Sequence, residues 1–425
     1  MQCTSLRRPR ALFASSPLLP STLPLMPRRR EWLESLLRRA GLSGAELAER
    51  MRVHPATPGR WVRGEQGLYP RNRRQLSIIL GVAPGEVDRL ESAYANDDRL
   101  GDDEGAGPSP ACSDDAERRV RSDVARLVDL DGRFGGDDVL PLAVRLFRAS
   151  RSDQVPTRGH LSAVAEAGEV AGWVAYDAGR LDLARSLSLD ALHLAEMAGD
   201  LSMVRFLLSN LTMVDLALRR PVEALAVVEH VTDQATSPRI AALFELRRAR
   251  GLAQMSEQQR AVQSFDRARV LLGEGTRDDD PWWSWWIDGA ELAWHRGTFH
   301  AELGDWQPAA DAYREAVESR GAIRAASGIT DRSRVVYNDL AHLADALATM
   351  GAWADLEPVL TELAPYVDTV GSTRTRLLLR RVLRRISGAA RVPSTLGDLA
   401  DQIGQTVGDR PGSTDLSDAE AEVRY

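Results

Sequence analysis

Arginine carries all the positive side-chain chemistry of this 425-residue chain. Every one of its 54 basic residues is arginine, and lysine is absent. A guanidinium offers a planar fork of donors that fits a phosphate, a carboxylate or the major-groove edge of guanine, and it keeps its proton in water. The same bias removes other chemistry. A Walker-type phosphate loop, a Schiff base, a pyridoxal enzyme, a protein kinase and a serine–lysine acyl-enzyme all need a lysine. No Ser/His/Asp set or pair of carboxylates stands out, and Cys3 and Cys112 make neither a disulfide framework nor a zinc set. Glu291 and His295 are spaced i,i+4, but His300 falls on a different side of the helix, so no metal face forms. The expectation is a protein that is not an enzyme and uses no cofactor or metal.

The charge is unevenly placed. Through residue 91 there are 16 arginines against 8 acidic residues, a net +8, while the rest of the chain carries −15 to give the overall −7. Only the front is suited to approach a polyanion. Its elements read as short helices. "EWLESLLRRAGLS" places Trp32, Leu33, Leu36 and Leu37 at helical spacing and stops at Gly41. Ser43, followed three residues later by Glu46, is a capping box opening "GAELAERM". "RVHP" is a turn, "RRQLSIILG" the next apolar helix, and "APGEVDRLESAY" a fifth.

The segment "LSGAELAERMRVHPATPGRWVRG" resembles the Cro/repressor-type, or xenobiotic-response-element, helix-turn-helix family. Leu47 and Ala48 stand in the first helix, Val53 at the turn, and Trp61 with Arg63 and Gly64 at the close. That resemblance implies a head that binds double-stranded DNA. His54 would cap the reading helix, Pro55 would be its first residue, and Ala56, Thr57, Gly59 and Arg60 would follow on the exposed side. Arg60 would be the main base reader, with Ala56 and Thr57 able to touch a thymine methyl or a phosphate. Arg63, Arg71, Arg73 and Arg74 would serve the backbone, although Arg71–Arg74 also suit a plain solvated face, and Ser43, with Arg52 in place of the family's usual turn glycine, completes the expected DNA-binding set. Pro55 is favoured at the first helical position, whereas Pro58 would delay the helix or remove one bond.

Behind the head the composition changes. Residues 1–27 are Pro- and Ser-rich without acids, a disordered arm or a start misassigned upstream of Met26. Residues 28–95 form the head, and residues 96–117 an acidic, Gly/Pro/Ser-rich linker. From 118 to 387 the chain reads as helix pairs. Five stretches share a breaker or polar turn followed, five positions later, by a small or apolar residue: Ala184, Ala224, Ala261, Ala309 and Leu356. Residues 388–425 read as a loose tail with a short helix at "LGDLADQIG". "LGDWQPAADAYREAV" and its fellows resemble the tetratricopeptide repeat, in degenerate form because the steps exceed its usual period of about 34 residues.

The predicted fold is therefore all-α: a small five-helix head on a flexible linker, then an α-solenoid. Head and body together resemble bacterial regulators that join a DNA-binding head to a sensor body. The resemblance implies a homodimer whose body takes a signalling peptide, a small molecule or a partner protein. The other reading is an adaptor that captures a partner helix in the repeat groove. "RFGGDD" at Arg133–Asp138 resembles a turn signature of some such regulators and equally suits an ordinary inter-helix turn. In "DDDPWWSWWIDGAELAWHRG", Trp282, Trp283, Trp286 and Trp294 either fill the core between repeats or line the groove. No apolar run is long enough to cross a membrane, and a cytoplasmic location is expected.

Overall fold

The computed structural model of the chain describes residues 30–90 and 110–409, apart from 52, 64–67, 69, 83–86, 88–89, 152–156, 233–236, 276, 278–279 and 328–332. For 70–71, 74, 78, 110–115, 285, 323–327 and 409 it describes the backbone alone. No strand occurs among the described residues.

Four helices build the head: α1 (Glu31–Arg39), α2 (Gly44–Met51), α3 (Thr57–Val62) and α4 (Pro70–Ile79). The predicted fifth helix lies largely outside the described residues; Val87 and Leu90 are described from it, and both are helical. Leu33, Leu36, Leu37, Leu47, Met51, Trp61 and Leu76 form one apolar cluster, the i, i+3, i+4 stripes of each helix turned inward. The capping box forms as the spacing requires. The Ser43 amide and hydroxyl both donate to Glu46 Oε2, at 2.8 and 2.7 Å, and the Glu46 amide returns a bond to Ser43 Oγ at 3.2 Å. These bonds hold the Glu46 carboxyl below its ordinary range.

The body is a stack of antiparallel helix pairs. A first pair, α5 (Pro110–Phe134) and α6 (Gly136–Ala149), precedes α7 (Arg158–Asp177) and α8 (Leu181–Ala198), then α9 (Leu201–Ala217) and α10 (Pro221–Thr232). α11 (Pro238–Gln254) and α12 (Gln258–Gly273) follow, then a 3-10 turn at Trp282–Trp286, and α13 (Gly289–Leu303) with α14 (Trp306–Ser327). The last pairs are α15 (Ser333–Met350) with α16 (Trp353–Thr369), and α17 (Thr373–Gly388) with α18 (Ser394–Asp409). Two boundaries differ from the sequence expectation. α5 begins inside the segment read as linker. α18 occupies the segment read as loose tail, held because Leu396, Ala400, Ile403 and Val407 bury one i, i+4 stripe against the preceding pairs.

The repeat register has a backbone origin. The residue five positions before each of Ala184, Ala224, Ala261, Ala309 and Leu356 has positive φ: Gly179 (70°), Arg219 (58°), Ser256 (62°), Gly304 (79°) and Gly351 (68°). A left-handed residue ends each inner helix and reverses the chain. The small or apolar residue then arrives one turn into the outer helix, where all five are buried. Inner helices are enclosed nearly all round, as in α7, where almost every residue from His160 to Asp177 is buried. Outer helices bury only one stripe, as in α12 with Ala261, Ser264 and Ala268.

Candidate functional site

Two regions hold functional candidates: the α2–α3 face of the head and the inner layer of the body.

In the head, α3 starts later than the sequence suggests. Ala56 rather than His54 is the cap, and Thr57 rather than Pro55 is the first helical residue. The cause is local. His54 closes a turn by accepting from the Thr57 amide on its carbonyl (2.8 Å) and from the Ala56 amide on Nδ1 (3.2 Å). The first bond of helical span joins the Arg60 amide to the Ala56 carbonyl at 3.1 Å. Pro58 thus stands second in the helix, where an amide has no intrahelical acceptor, and costs no bond.

Thr57 and Pro58 are both buried, which takes Thr57 off the exposed face expected for it: with the start shifted, its side chain turns into the head. Ala56 and Arg60 are half-buried and Arg63 is exposed. The Arg63 guanidinium lies over Gly59, its Nη1 3.0 Å from where a Cβ would stand. Ser43 is committed to its capping box. Arg73 donates Nε to the Leu68 carbonyl and is half-buried. Arg52 lies outside the described residues, as do the side chains of Arg71 and Arg74. Of the predicted set, the structure gathers His54, Ala56, Arg60 and Arg63 around α3.

The tryptophans divide. "WWSWW" is a 3-10 turn rather than an α-helix, so residues three apart align and Trp282 does not share a face with Trp286. Trp283 is wholly buried. It stacks on Phe206 with centroids 4.4 Å apart and donates Nε1 to Ser202 Oγ at 3.1 Å. It is core, not groove lining. Trp282 and Trp286 are half-buried against the same cluster. Trp294, on inner helix α13, meets the His295 and His342 rings edge-on at 5.1 and 5.3 Å. Its Nε1 is buried and finds no acceptor among the described residues.

The inner layer holds what the sequence reading missed, a concentration of buried charge. Arg320 pairs with Glu291 at 2.6 Å and with Asp339 at 2.8 Å, and His295 Nε2 lies 3.4 Å from Glu291 Oε1. Arg250 pairs with Glu302 at 3.0 Å, and Arg374 with Asp177 at 3.2 Å while lying 5.1 Å over the Tyr176 ring. Burial raises the Glu291 carboxyl, but the His295 and Arg320 contacts outweigh it and leave the pKa at about 2. Burial wins at Asp339, pushing it up to about 6 against the pull of Arg320. These residues were visible individually as polar interruptions of apolar inner helices. Their convergence depends on superhelical geometry that spacing does not encode.

The signature "RFGGDD" forms a clasp. The Gly371 amide donates to the Phe134 carbonyl at 2.6 Å, and the Gly371 carbonyl accepts from the Asp137 amide at 2.8 Å. Asp177, wholly buried, accepts from the Gly136 amide (3.0 Å), Ser372 Oγ (3.0 Å) and Arg374. Gly136 has no room for a side chain, since a Cβ would meet the Val174 carbonyl at 2.6 Å. Arg334 adds an ion pair to Asp131 at 3.1 Å. The first two pairs of the solenoid are thereby joined to its last two.

No protein-family model and no curated protein matches the chain. Among solved structures, it is similar to a Rap protein complexed with competence and sporulation factor, with a TM-score of 0.51 and 13% identity over 89% of this chain and 90% of that one. The likeness is one of fold: an all-helical architecture whose body is a solenoid of helix pairs. No described helix is long and apolar enough to cross a membrane.

Proposed function

We propose that this chain is a non-enzymatic regulatory interaction protein whose repeat body takes a peptide or partner-protein segment against its inner helices. The observation that carries this reading is the buried charge on α11, α13, α15 and α17, into which Arg320 reaches from α14. A solenoid needs only small and apolar residues to stack, and replacing a buried ion pair by well-packed hydrophobic residues is often neutral or stabilising. Polar groups kept inside with shifted pKa values are a common mark of a binding site. The fold likeness supports the same reading, because the similar structure is of a Rap protein in complex with competence and sporulation factor. Affinity selection from a pool of short synthetic peptides, using the full chain as bait, tests it. The expected result is a family of retained peptides with saturable binding; an unselective or empty pool refutes it.

A second reading rests on the head. α2 and α3 carry a formed capping box and arginines on the outer side of a short helix, within a segment of net +8. This arrangement suits contact with duplex DNA, for which a homodimer would supply half-sites about one turn, 34–36 Å, apart. A mobility shift of the full chain on its own upstream DNA tests this reading. Salt-sensitive, sequence-selective binding whose selectivity falls on Arg60→Ala supports it; equal retardation of every duplex, or none, refutes it.

A further inference from the structure

Within the inner layer one guanidinium stands apart. Arg247, on α11, is 5% exposed. Its Nε is fully buried without a hydrogen-bond partner, and no carboxylate of the described residues stands within ion-pair distance of its side chain. Its neighbours are differently placed. Arg250, Arg320 and Arg374 each hold a carboxylate of their own. Glu291 is the acid whose field reaches Arg247; its Oε2 is held by Arg320 at 2.6 Å, and its Oε1 lies 3.4 Å from His295 Nε2. Burial lowers the Arg247 pKa to about 10, which still leaves it charged at neutral pH. A positive charge is thus enclosed near Tyr176 and Arg250 with no carboxylate of its own, balanced only by the field of Glu291, which Arg320 holds. Unpaired buried charge is among the least favourable features a fold can keep. The body could have discarded it cheaply, since methionine has similar reach and no charge.

We propose that Arg247 is the receptor for a carboxylate brought in by the ligand of the repeat body. The planar fork would take both carboxylate oxygens, the geometry for which arginine is suited and lysine is not. A peptide can supply that group from its C-terminus or from an Asp or Glu side chain. The inference rests on the peptide-binding reading above and narrows it to acid-bearing segments.

The test uses the full chain with two matched pools of random heptapeptides, one with free C-termini and one C-terminally amidated. Retained peptides are expected to carry at least one carboxylate in common. Loss of binding on amidation assigns the terminal group, and loss on Glu→Gln or Asp→Asn assigns a side chain. Arg247→Met is expected to weaken the retained peptide by at least about tenfold, while the exposed Arg267→Met leaves it unchanged. Without peptide, Arg247→Met is expected to melt at a higher temperature than the parent, which a merely structural arginine would not allow. Arg247→Lys keeps the charge without the fork and is expected to show a comparable loss of affinity, which covers the case of a Met variant that fails to fold. Peptides that bind the Met and Lys variants as tightly as the parent, or that tolerate removal of every carboxylate, overturn the inference and leave peptide binding standing. An empty pool overturns both.

Discussion

Arg376 donates Nη2 to Asp137 Oδ2 at 2.7 Å across 239 residues, while the other oxygen of Asp137 accepts the Thr373 amide at 3.1 Å. A solenoid whose repeats touch only their neighbours gains stability by local sums. Here the front of the body is bonded directly to its last pairs, so the body is expected to unfold as one unit rather than to fray.

Asp177 is the centre of that closure. Asp177→Ala would leave Arg374 buried without its carboxylate and release the Gly136 amide and Ser372. The expected loss is about 3–5 kcal/mol, the usual cost of breaking a buried pair from one side. The exposed pair of Arg151 and Asp190 gives the control: Asp190→Ala is expected to change stability by less than about 0.5 kcal/mol. Urea unfolding followed by circular dichroism measures both.

The left-handed turns give a prediction of opposite sign. Ser256 holds φ at 62° where Gly179, Gly304 and Gly351 stand in the sister turns. Left-handed backbone costs a side-chain-bearing residue roughly 1–2 kcal/mol, and glycine recovers part of it at the expense of unfolded-state entropy. Ser256→Gly is expected to stabilise the body by up to about 1 kcal/mol, and Gly304→Ala to destabilise it by a similar amount. Thermal melts of the two variants should move in opposite directions.

Acid sensitivity follows from enclosed imidazoles. His342 packs between the Trp294 and Tyr313 rings, each about 5.3 Å away. Burial, then Arg374, Arg381 and Arg250, hold its pKa well below the ordinary 6.5. The unfolded imidazole takes up a proton near pH 6.5 and the folded one does not, so its presence costs stability progressively as pH falls from about 7 to 5. Asp339, raised to about 6, works the other way over pH 6 to 4. The stability of His342→Gln relative to the parent should therefore rise between pH 7 and 5. A difference independent of pH would show that the imidazole is not held neutral. Below pH 4.5 a separate loss is expected from Glu291, whose folded pKa of about 2 keeps it ionised after its unfolded counterpart is protonated.

Trp283 fixes the 3-10 turn to α9. Trp283→Ala removes a wholly buried indole and its stack on Phe206, and about 3–5 kcal/mol should go with it. Tryptophan emission of the parent should carry a blue-shifted component that this variant lacks.

Much of the fold was legible in the residues. The turn signals at Gly304 and Gly351, and the small or apolar residues five positions on, located the outer helices because a reversal and a packed helix approach each favour particular residue types. Ser43 with Glu46 located α2 for the same reason. The start of α3 was misplaced because the family register put the cap at His54, whereas its imidazole closes a separate turn first. "LGDLADQIG" belongs to a longer helix than its glycines suggest, since tertiary burial of Leu396, Ala400, Ile403 and Val407 outweighs the low helix propensity of those glycines. The inner charges could not be assembled from sequence, because Arg250 and Arg374 come within each other's field only through the curvature of stacked pairs, which no local period records.

Hydrogen exchange of the full chain, with and without a selected acid-bearing peptide, tests the central claim most directly. Slowed exchange concentrated in α11, α13, α15 and α17, with α8, α12 and the head unchanged, is the expected result. Protection confined to the outer helices or to the head, or no change at saturating peptide, would contradict it.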